Sequence, residues 1–73
     1  GDYSLALGMN ADAAHNGSFV WSGGNTPTPY SSTGQNQFLI KATGGVGINT
    51  RTPQAYLHVN GAIVIEDHLP GAP

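Results

Sequence analysis

A chain of 73 residues is long enough for one small domain, but such domains usually need disulfides, a metal or oligomerisation for stability. The absence of cysteine excludes disulfides and thiolate metal sites, and His15, His58 and His68 share no ligand spacing. Lys41 and Arg51 are the only basic residues, so the formal net charge of -2 gives no electrostatic footprint for nucleic acid. Oligomerisation is therefore the expected source of stability.

The composition is typical of secreted proteins that are built from β-strands. Charges are few, and Gly, Ser, Thr and Asn are abundant, as in secreted proteins whose surfaces carry small polar groups. No apolar run approaches the roughly 20 residues of a membrane span, so we expect no membrane insertion. The first residue is Gly1 rather than Met, and no signal peptide is visible, which predicts a fragment of a longer polypeptide.

Residues 1–22 are predicted to form the end of an array of β-roll-like repeats. The segment Ser4–Gly8 aligns with Ser18–Ser22, 14 positions later. The aligned pairs are Leu5 with Phe19, Ala6 with Val20, and Leu7 with Trp21. Each coil of such an array buries its apolar side against the next coil. Between the two copies, Ala11–Ala14 is the only stretch with helical propensity, and it ends at a turn.

Residues 23–36 are predicted to be a loop rich in Pro, Gly and Ser, and this loop is expected to be mobile or to contact another molecule. Pro27 and Pro29 cannot donate ladder hydrogen bonds, and the surrounding Gly, Ser and Thr favour turns. Tyr30 is the only large apolar residue in this loop and is expected to anchor it.

Residues 37–65 are predicted to form a module of short strands. The first strand, Gln37–Ala42, alternates Phe38 and Ile40 on one face with Leu39 and Lys41 on the other. The glycines that follow allow positive φ or close backbone approach; they are Gly44, Gly45 and Gly47. After the glycines, the alternation of apolar residues resumes at Val46 and Ile48. A strand is then predicted over Ala55–Val59, followed by a hairpin turn at Asn60–Gly61 and a last strand over Ala62–Ile65. Residues 66–73 are predicted to be an extended tail.

Two strings in the chain resemble known families of fibrous proteins. The string from Phe38 to Thr50, with Pro53 and Leu57–Gly61, is similar to a stretch of bacterial surface proteins and phage tail fibres. In that family it often precedes an intramolecular chaperone of the endosialidase type. The string Ser4–Gly8, with Ala11 and Ala13, resembles the YadA-like head repeat of trimeric autotransporter adhesins, a left-handed parallel β-roll.

The resemblance implies a homotrimer on a bacterial cell surface or in a phage virion. One departure concerns the chaperone, which would begin shortly after Gly61 with a basic segment. Here Ile63–Asp67 follows instead, so the resemblance assigns no self-cleavage to this chain.

Three groups of residues suggest a phosphate-binding loop, a catalytic triad and a metal site, and each also has a structural interpretation. Gly44–Gly47 lacks the Lys-Ser/Thr ending of a phosphate loop, so a tight turn is favoured. Asp12, His15 and Ser18 suggest a catalytic triad by their nearness, but a triad is defined by geometry, and turn residues are the favoured interpretation. Three copies of His58 in a trimer suggest a metal site, but a hydrogen-bonded or surface histidine is the default.

Aromatic residues raise the remaining functional alternative. Trp21, Phe19 and Tyr30 suggest a surface that stacks on sugars, although aromatic residues in a small chain more often build its core. Trp21 and Tyr30 are therefore the candidate ligand contacts.

Together these patterns predict an all-β, intertwined homotrimeric β-roll or β-prism with almost no helix. The predicted function is a structural trimerisation and connector module of an extracellular fibre or adhesin. The alternative is a receptor- or glycan-binding tip. We expect no enzymatic activity, no cofactor and no metal. The predicted trimer core consists of Phe38, Ile40, Val46, Ile48, Leu57 and Val59.

Overall fold

The computed structural model describes residues 1–24 and 28–66, and within them it is built from short strands and contains no helix. The all-β prediction is confirmed at this level. The strands are β1 (Leu5–Gly8), β2 (Ala11–Asp12), β3 (Phe19–Ser22), β4 (Tyr30–Ser31), β5 (Phe38–Lys41), β6 (Val46–Ile48) and β7 (Leu57–Val59). The chain divides into two compact units, unit 1 (Gly1–Thr43) and unit 2 (Gly44–Pro73).

Unit 1 is a parallel roll whose coils stack in register. Its main sheet has the order β1-β3-β5, and both pairings are parallel. Leu5 pairs with Phe19, Ala6 with Val20, and Leu7 with Trp21. These are the pairs that the 14-residue repeat predicts from the sequence, so the repeat corresponds to one coil of backbone.

The second coil of unit 1 is longer than the first. Phe19 pairs with Phe38, which is 19 residues further on, whereas Leu5 pairs with Phe19 after 14. The five extra residues lie between β3 and β4, since β2 and β4 also pair 19 residues apart. β5 is thus a third coil of the roll. It belongs to unit 1, and the predicted module over residues 37–65 is divided between the two units.

The short second sheet contains two segments that the sequence analysis did not predict to be strands. Ala11–Asp12, where helical propensity is highest, is a strand because its backbone pairs in parallel with Tyr30–Ser31. The predicted loop over residues 23–36 therefore contains β4. Pro29 precedes that strand, whereas Pro27 lies outside the described residues.

One turn of the roll repeats a backbone conformation rather than a residue type. Tyr3, Gly17 and Asn36 have φ of 55°, 71° and 59°, and each lies two residues before a strand of the main sheet. The amide of Gly17 donates to Asp2 O at 2.9 Å, and that of Asn36 donates to Asn16 O at 3.0 Å. Stacked turns thus extend the ladder of hydrogen bonds beyond the strands.

The interior of unit 1 is small and partly polar. Val20 is the one hydrophobic residue that is buried among the described residues, with no exposed surface. The other buried side chains are the hydroxyls of Ser18, Ser22 and Ser32. No buried side-chain nitrogen or oxygen of the described residues lacks a hydrogen-bond partner, which satisfies the condition for burying serine.

Unit 2 is a single shorter coil. β6 and β7 pair in parallel, with Val46 opposite Leu57, 11 residues apart. The predicted Asn60–Gly61 hairpin and the strand over Ala62–Ile65 are wrong. The amide of Asn60 donates to Ile48 O at 3.0 Å and so continues the parallel ladder. A type I′ hairpin needs positive φ at both central residues, and only Gly61 of the two has it.

Candidate functional site

The main sheet of unit 1 has one face covered by large apolar side chains, which we call the apolar face. Parallel pairing aligns them in two rows across three strands. The first row is Leu5, Phe19 and Phe38, and the second is Leu7, Trp21 and Ile40. The rings of Phe19 and Phe38 lie 4.9 Å apart between centroids, at 36°. This face is therefore ordered within the chain, and its residues pack along the rows.

The apolar face is exposed in the single chain. Phe38 is 68% exposed and Ile40 is 41% exposed, whereas Phe19 is half-buried between its neighbours. The opposite face of β3 carries Val20 and Ser22, which are buried. The alternation along the strand thus puts the larger hydrophobic residues toward solvent and the smaller ones inside, the reverse of what a self-sufficient domain needs.

The six residues predicted as a trimer core fall in both units. Phe38 and Ile40 belong to the apolar face of unit 1. In unit 2, Val46 pairs with Leu57, and Ile48 pairs with Val59. The two valines are half-buried, while Ile48 and Leu57 are more than half exposed. Their coverage by other chains stays a prediction.

Sequence reasoning missed part of this exposed apolar surface. Leu5, Leu7 and Phe19 belong to the same two rows as Phe38 and Ile40. The signal was present in the repeat, because a residue that pairs with a face residue lies on that face. The segment Ile63–Ile65 was also misread as a strand; it is unpaired, and Ile65 is 86% exposed.

The polar residues considered as a triad make hydrogen bonds that differ from those of a catalytic relay. The Ser18 hydroxyl donates to the backbone O of His15 at 2.7 Å. His15 Nδ1 lies 2.7 Å from Ser32 Oγ, and the His15 amide donates to the same oxygen at 3.0 Å. Asp12 Oδ2 accepts from the Ser31 hydroxyl at 2.8 Å, which ties it to β4. Among the described residues, no side-chain hydrogen bond links Asp12, His15 and Ser18 into a relay. The Ser18 bond lies within its own turn, whereas the bonds of His15 and Asp12 join adjacent coils.

The predicted turn glycines of unit 2 differ in what their positions require. Gly45 has φ of 105°, and a Cβ there would lie 2.5 Å from Ala55 O. A Cβ on Gly47 would lie 2.5 Å from Thr50 O. Nothing lies within 4 Å of a Cβ on Gly44. Two of the three glycines therefore allow a close backbone approach that a side chain would block.

Two further contacts hold the coil of unit 2. Asn49 Nδ2 donates to Asn60 O at 3.2 Å, and Asn60 Nδ2 donates to Asn49 O at 3.3 Å. His58 Nδ1 accepts from the backbone amide of Gln54 at 3.1 Å. One nitrogen of His58 is therefore engaged in a hydrogen bond within the coil, as expected for a structural histidine.

The two candidate ligand contacts lie in different sheets. Trp21 belongs to the apolar face and is 37% exposed. Tyr30 is half-buried in β4, with Lys41 Nζ 5.6 Å from its ring centroid, a cation–π distance. In the described residues no ring contact joins Trp21 to Tyr30. Each of these two aromatic residues is therefore part of a strand of unit 1.

Residues 1–24 and 28–66 show neither a metal-binding cluster nor a membrane-spanning helix. Within them, no group of three His, Asp or Glu side chains could hold a metal ion. The same residues include no helix of the length and apolarity that a membrane crossing requires. Comparison with models of protein families, with curated proteins and with solved structures found no match to the chain.

Proposed function

We propose that this chain is a structural trimerisation and connector module of an extracellular fibre or adhesin, on a bacterial cell surface or in a phage virion. The observation that carries the proposal is the exposed apolar face of unit 1. Six large side chains in two registered rows form a contiguous patch, and contiguous apolar patches mark interaction sites more often than scattered exposed residues do.

The balance of buried and exposed apolar residues supports a need for partner chains. One hydrophobic residue of the described chain is buried, while 13 large ones are exposed. Full burial of one such side chain contributes about 1.5–3 kcal/mol. A small all-β unit without that contribution has little to offset its conformational entropy. Further copies of the same chain supply apolar surface of the same kind.

The strand order supports a place in a longer fibre. Among the described residues, β1 and β5 are the edges of the main sheet, and an edge strand has backbone groups on its outer side that no strand of its own sheet pairs with. Parallel coils can continue from such edges. The resemblance to adhesin heads and tail fibres supports three chains rather than two. No catalysis is assigned, because the described side chains of Asp12, His15 and Ser18 form no relay and serve the turns of the roll.

A fusion experiment tests the trimerisation role. The domain is joined to an unrelated chain that trimerises weakly, and the melting temperature of that partner is measured. We expect a rise, because linking three chains raises their effective concentration. Phe38→Asp should remove the rise, since it puts an unpaired charge into the interface. Gln35→Asp, an exposed turn position, is the matched control. A wild-type fusion that stays monomeric would eliminate the trimerisation role.

The second candidate function is a receptor- or glycan-binding module. The observation that favours it is the five-residue lengthening of the second coil, which lies between Trp21 and Tyr30 in sequence. Extra residues in one coil of a roll are often a binding loop. Glycan-array screening tests this candidate, with Trp21→Ala and Tyr30→Ala as controls. Binding that both variants lose would make it the leading function.

A further inference from the structure

The sequence contains Asn-Gly twice, and the structure puts the two copies in different environments. Asn16–Gly17 lies in a turn of unit 1, and Asn60–Gly61 follows the last strand of unit 2. Asparagine is one of the chemically labile residues. Its side-chain amide is lost when the next backbone nitrogen attacks it, and a following glycine leaves that nitrogen least hindered.

At Asn16–Gly17 both reacting groups are held by hydrogen bonds. The Asn16 Oδ1 accepts from the Asp2 amide at 2.8 Å. The amide of Gly17, which would be the nucleophile, donates to Asp2 O at 2.9 Å. The backbone O of Asn16 also accepts from the Asn36 amide at 3.0 Å. Attack at this site requires the turn to open first.

At Asn60–Gly61 the nucleophile is accessible. Gly61 is exposed, and within residues 1–24 and 28–66 its amide donates no hydrogen bond. A Cβ on Gly61 would meet nothing within 4 Å, so the space around this residue is open. The Asn60 side chain is held at one point, by Nδ2 donating to Asn49 O at 3.3 Å. This single contact is long for an N–H···O bond.

We propose that Asn60 is the site of spontaneous deamidation in this protein and that Asn16 is protected. The Gly61 nitrogen, after losing its proton, attacks Asn60 Cγ. The new C–N bond closes a five-membered succinimide, and the Cγ–Nδ2 bond breaks with release of ammonia. Water then opens the ring at either carbonyl to give aspartate or isoaspartate. The net change replaces an amide by a carboxylate and adds one negative charge.

The modification acts on the bonded pair that closes unit 2. It removes the Nδ2–H donor that bonds Asn49 O, and it leaves a carboxylate facing that carbonyl oxygen. Two acceptors then face each other. The isoaspartate product also lengthens the backbone by one atom beside Gly61. Deamidation is therefore expected to loosen the β6–β7 coil while leaving the roll of unit 1 unchanged.

The test is an incubation of the whole chain at mildly alkaline pH and 37 °C, with peptides analysed by mass spectrometry. Trypsin cuts at Lys41 and Arg51, so Asn60 is the only asparagine in its peptide. Asn16 is located by fragmentation. A parallel incubation in denaturant gives the rate of each site in the unfolded chain.

We expect Asn60 in the native protein to react within roughly threefold of its rate in denaturant, while Asn16 is slowed at least tenfold or so. Gly61→Ala should slow the reaction at Asn60 and leave Asn16 unchanged. Equal protection of both sites, faster reaction at Asn16, or an unreactive Asn60 in the native protein would overturn the proposal.

Discussion

Unit 1 and unit 2 are both built from parallel strands that pair with the strand one coil away, but they stabilise their coils by different means. Unit 1 uses a 14-residue coil, lengthened once to 19, and encloses Val20 with three serines. Unit 2 uses an 11-residue coil, and none of its described residues, 44–66, has a buried side chain. Its coil is held by the backbone approach at Gly45 and by the Asn49–Asn60 pair.

The difference relates the length of a coil to how much side chain the coil encloses within one chain. The longer coils of unit 1 enclose one small hydrophobic residue, Val20. In the shorter coil of unit 2, backbone closely approaches backbone at Gly45. Its apolar residues are half-buried at Val46 and Val59 and exposed at Ile48 and Leu57. Under the proposed trimerisation role, other copies of the chain cover the exposed apolar side chains of both units.

The largest expected effect comes from a charge on the apolar face. Ile40→Asp should abolish assembly and cost about 3–5 kcal/mol per chain, because an uncompensated charge would be buried in the interface. Gel filtration and circular dichroism measure the two losses. Gln35→Asp adds the same charge at an exposed turn and should change neither. An Ile40→Asp protein that assembles and melts like wild type would remove the apolar face from the interface.

The next effect distinguishes the glycines of unit 2. Gly45→Ala should destabilise the protein by about 1–3 kcal/mol or more, because it combines positive φ with a clash against Ala55 O. Gly44→Ala is the matched control and should lie within about 0.5 kcal/mol of wild type. Thermal melting compares the two. If both variants kept full stability, the turn of unit 2 would not require a close backbone approach.

A smaller effect compares the interiors of the two units. Val20→Ala should cost roughly 2 kcal/mol, because it leaves a cavity where the side chain is fully buried. Val46→Ala removes the same atoms from a half-buried site in unit 2 and should cost less than half as much. Trp21 fluorescence during denaturation reports on unit 1. Equal losses of stability in the two variants would show that Val46 is as well packed as Val20, and would contradict the difference between the two interiors.

The smallest expected effect is a gain in stability. Tyr3 occupies the positive-φ turn position that Gly17 and Asn36 occupy in later coils. Tyrosine is disfavoured there, whereas asparagine is tolerated. Tyr3→Asn should therefore raise the stability of unit 1 by about 0.5–1 kcal/mol. The side chain is almost fully exposed, so little packing is lost in the single chain. A lower melting temperature would mean that Tyr3 makes a contact in the assembly.

The sequence allowed the first coil of unit 1 to be predicted, but it did not indicate the third. Leu5 and Phe19 align because nothing interrupts the 14-residue spacing. The lengthening before β4 hides the match of Phe19 with Phe38. The same turn conformation recurs at Tyr3, Gly17 and Asn36. Because these are three different residue types, the repeat of the turn is not visible in the sequence. Local patterns also do not specify which strand is the partner, so Asn60–Gly61 resembled a hairpin although its backbone continues a parallel ladder.

The candidate site was predictable only where alternation was regular. Phe38 and Ile40 were identified from their period of two, and the same period in β1 and β3 adds Leu5, Leu7 and Phe19. Ile63–Ile65 has strand composition but no pairing in the described chain, because β-branched residues indicate a preference and not a partner.

The mass of the protein in solution tests most directly whether copies of this chain cover its apolar face. Multi-angle light scattering of the purified chain at micromolar concentration gives that mass without reference to shape. We expect a value three times the 7.5 kDa of one chain. A folded species with the mass of one chain would contradict the claim that copies of this chain cover its apolar face.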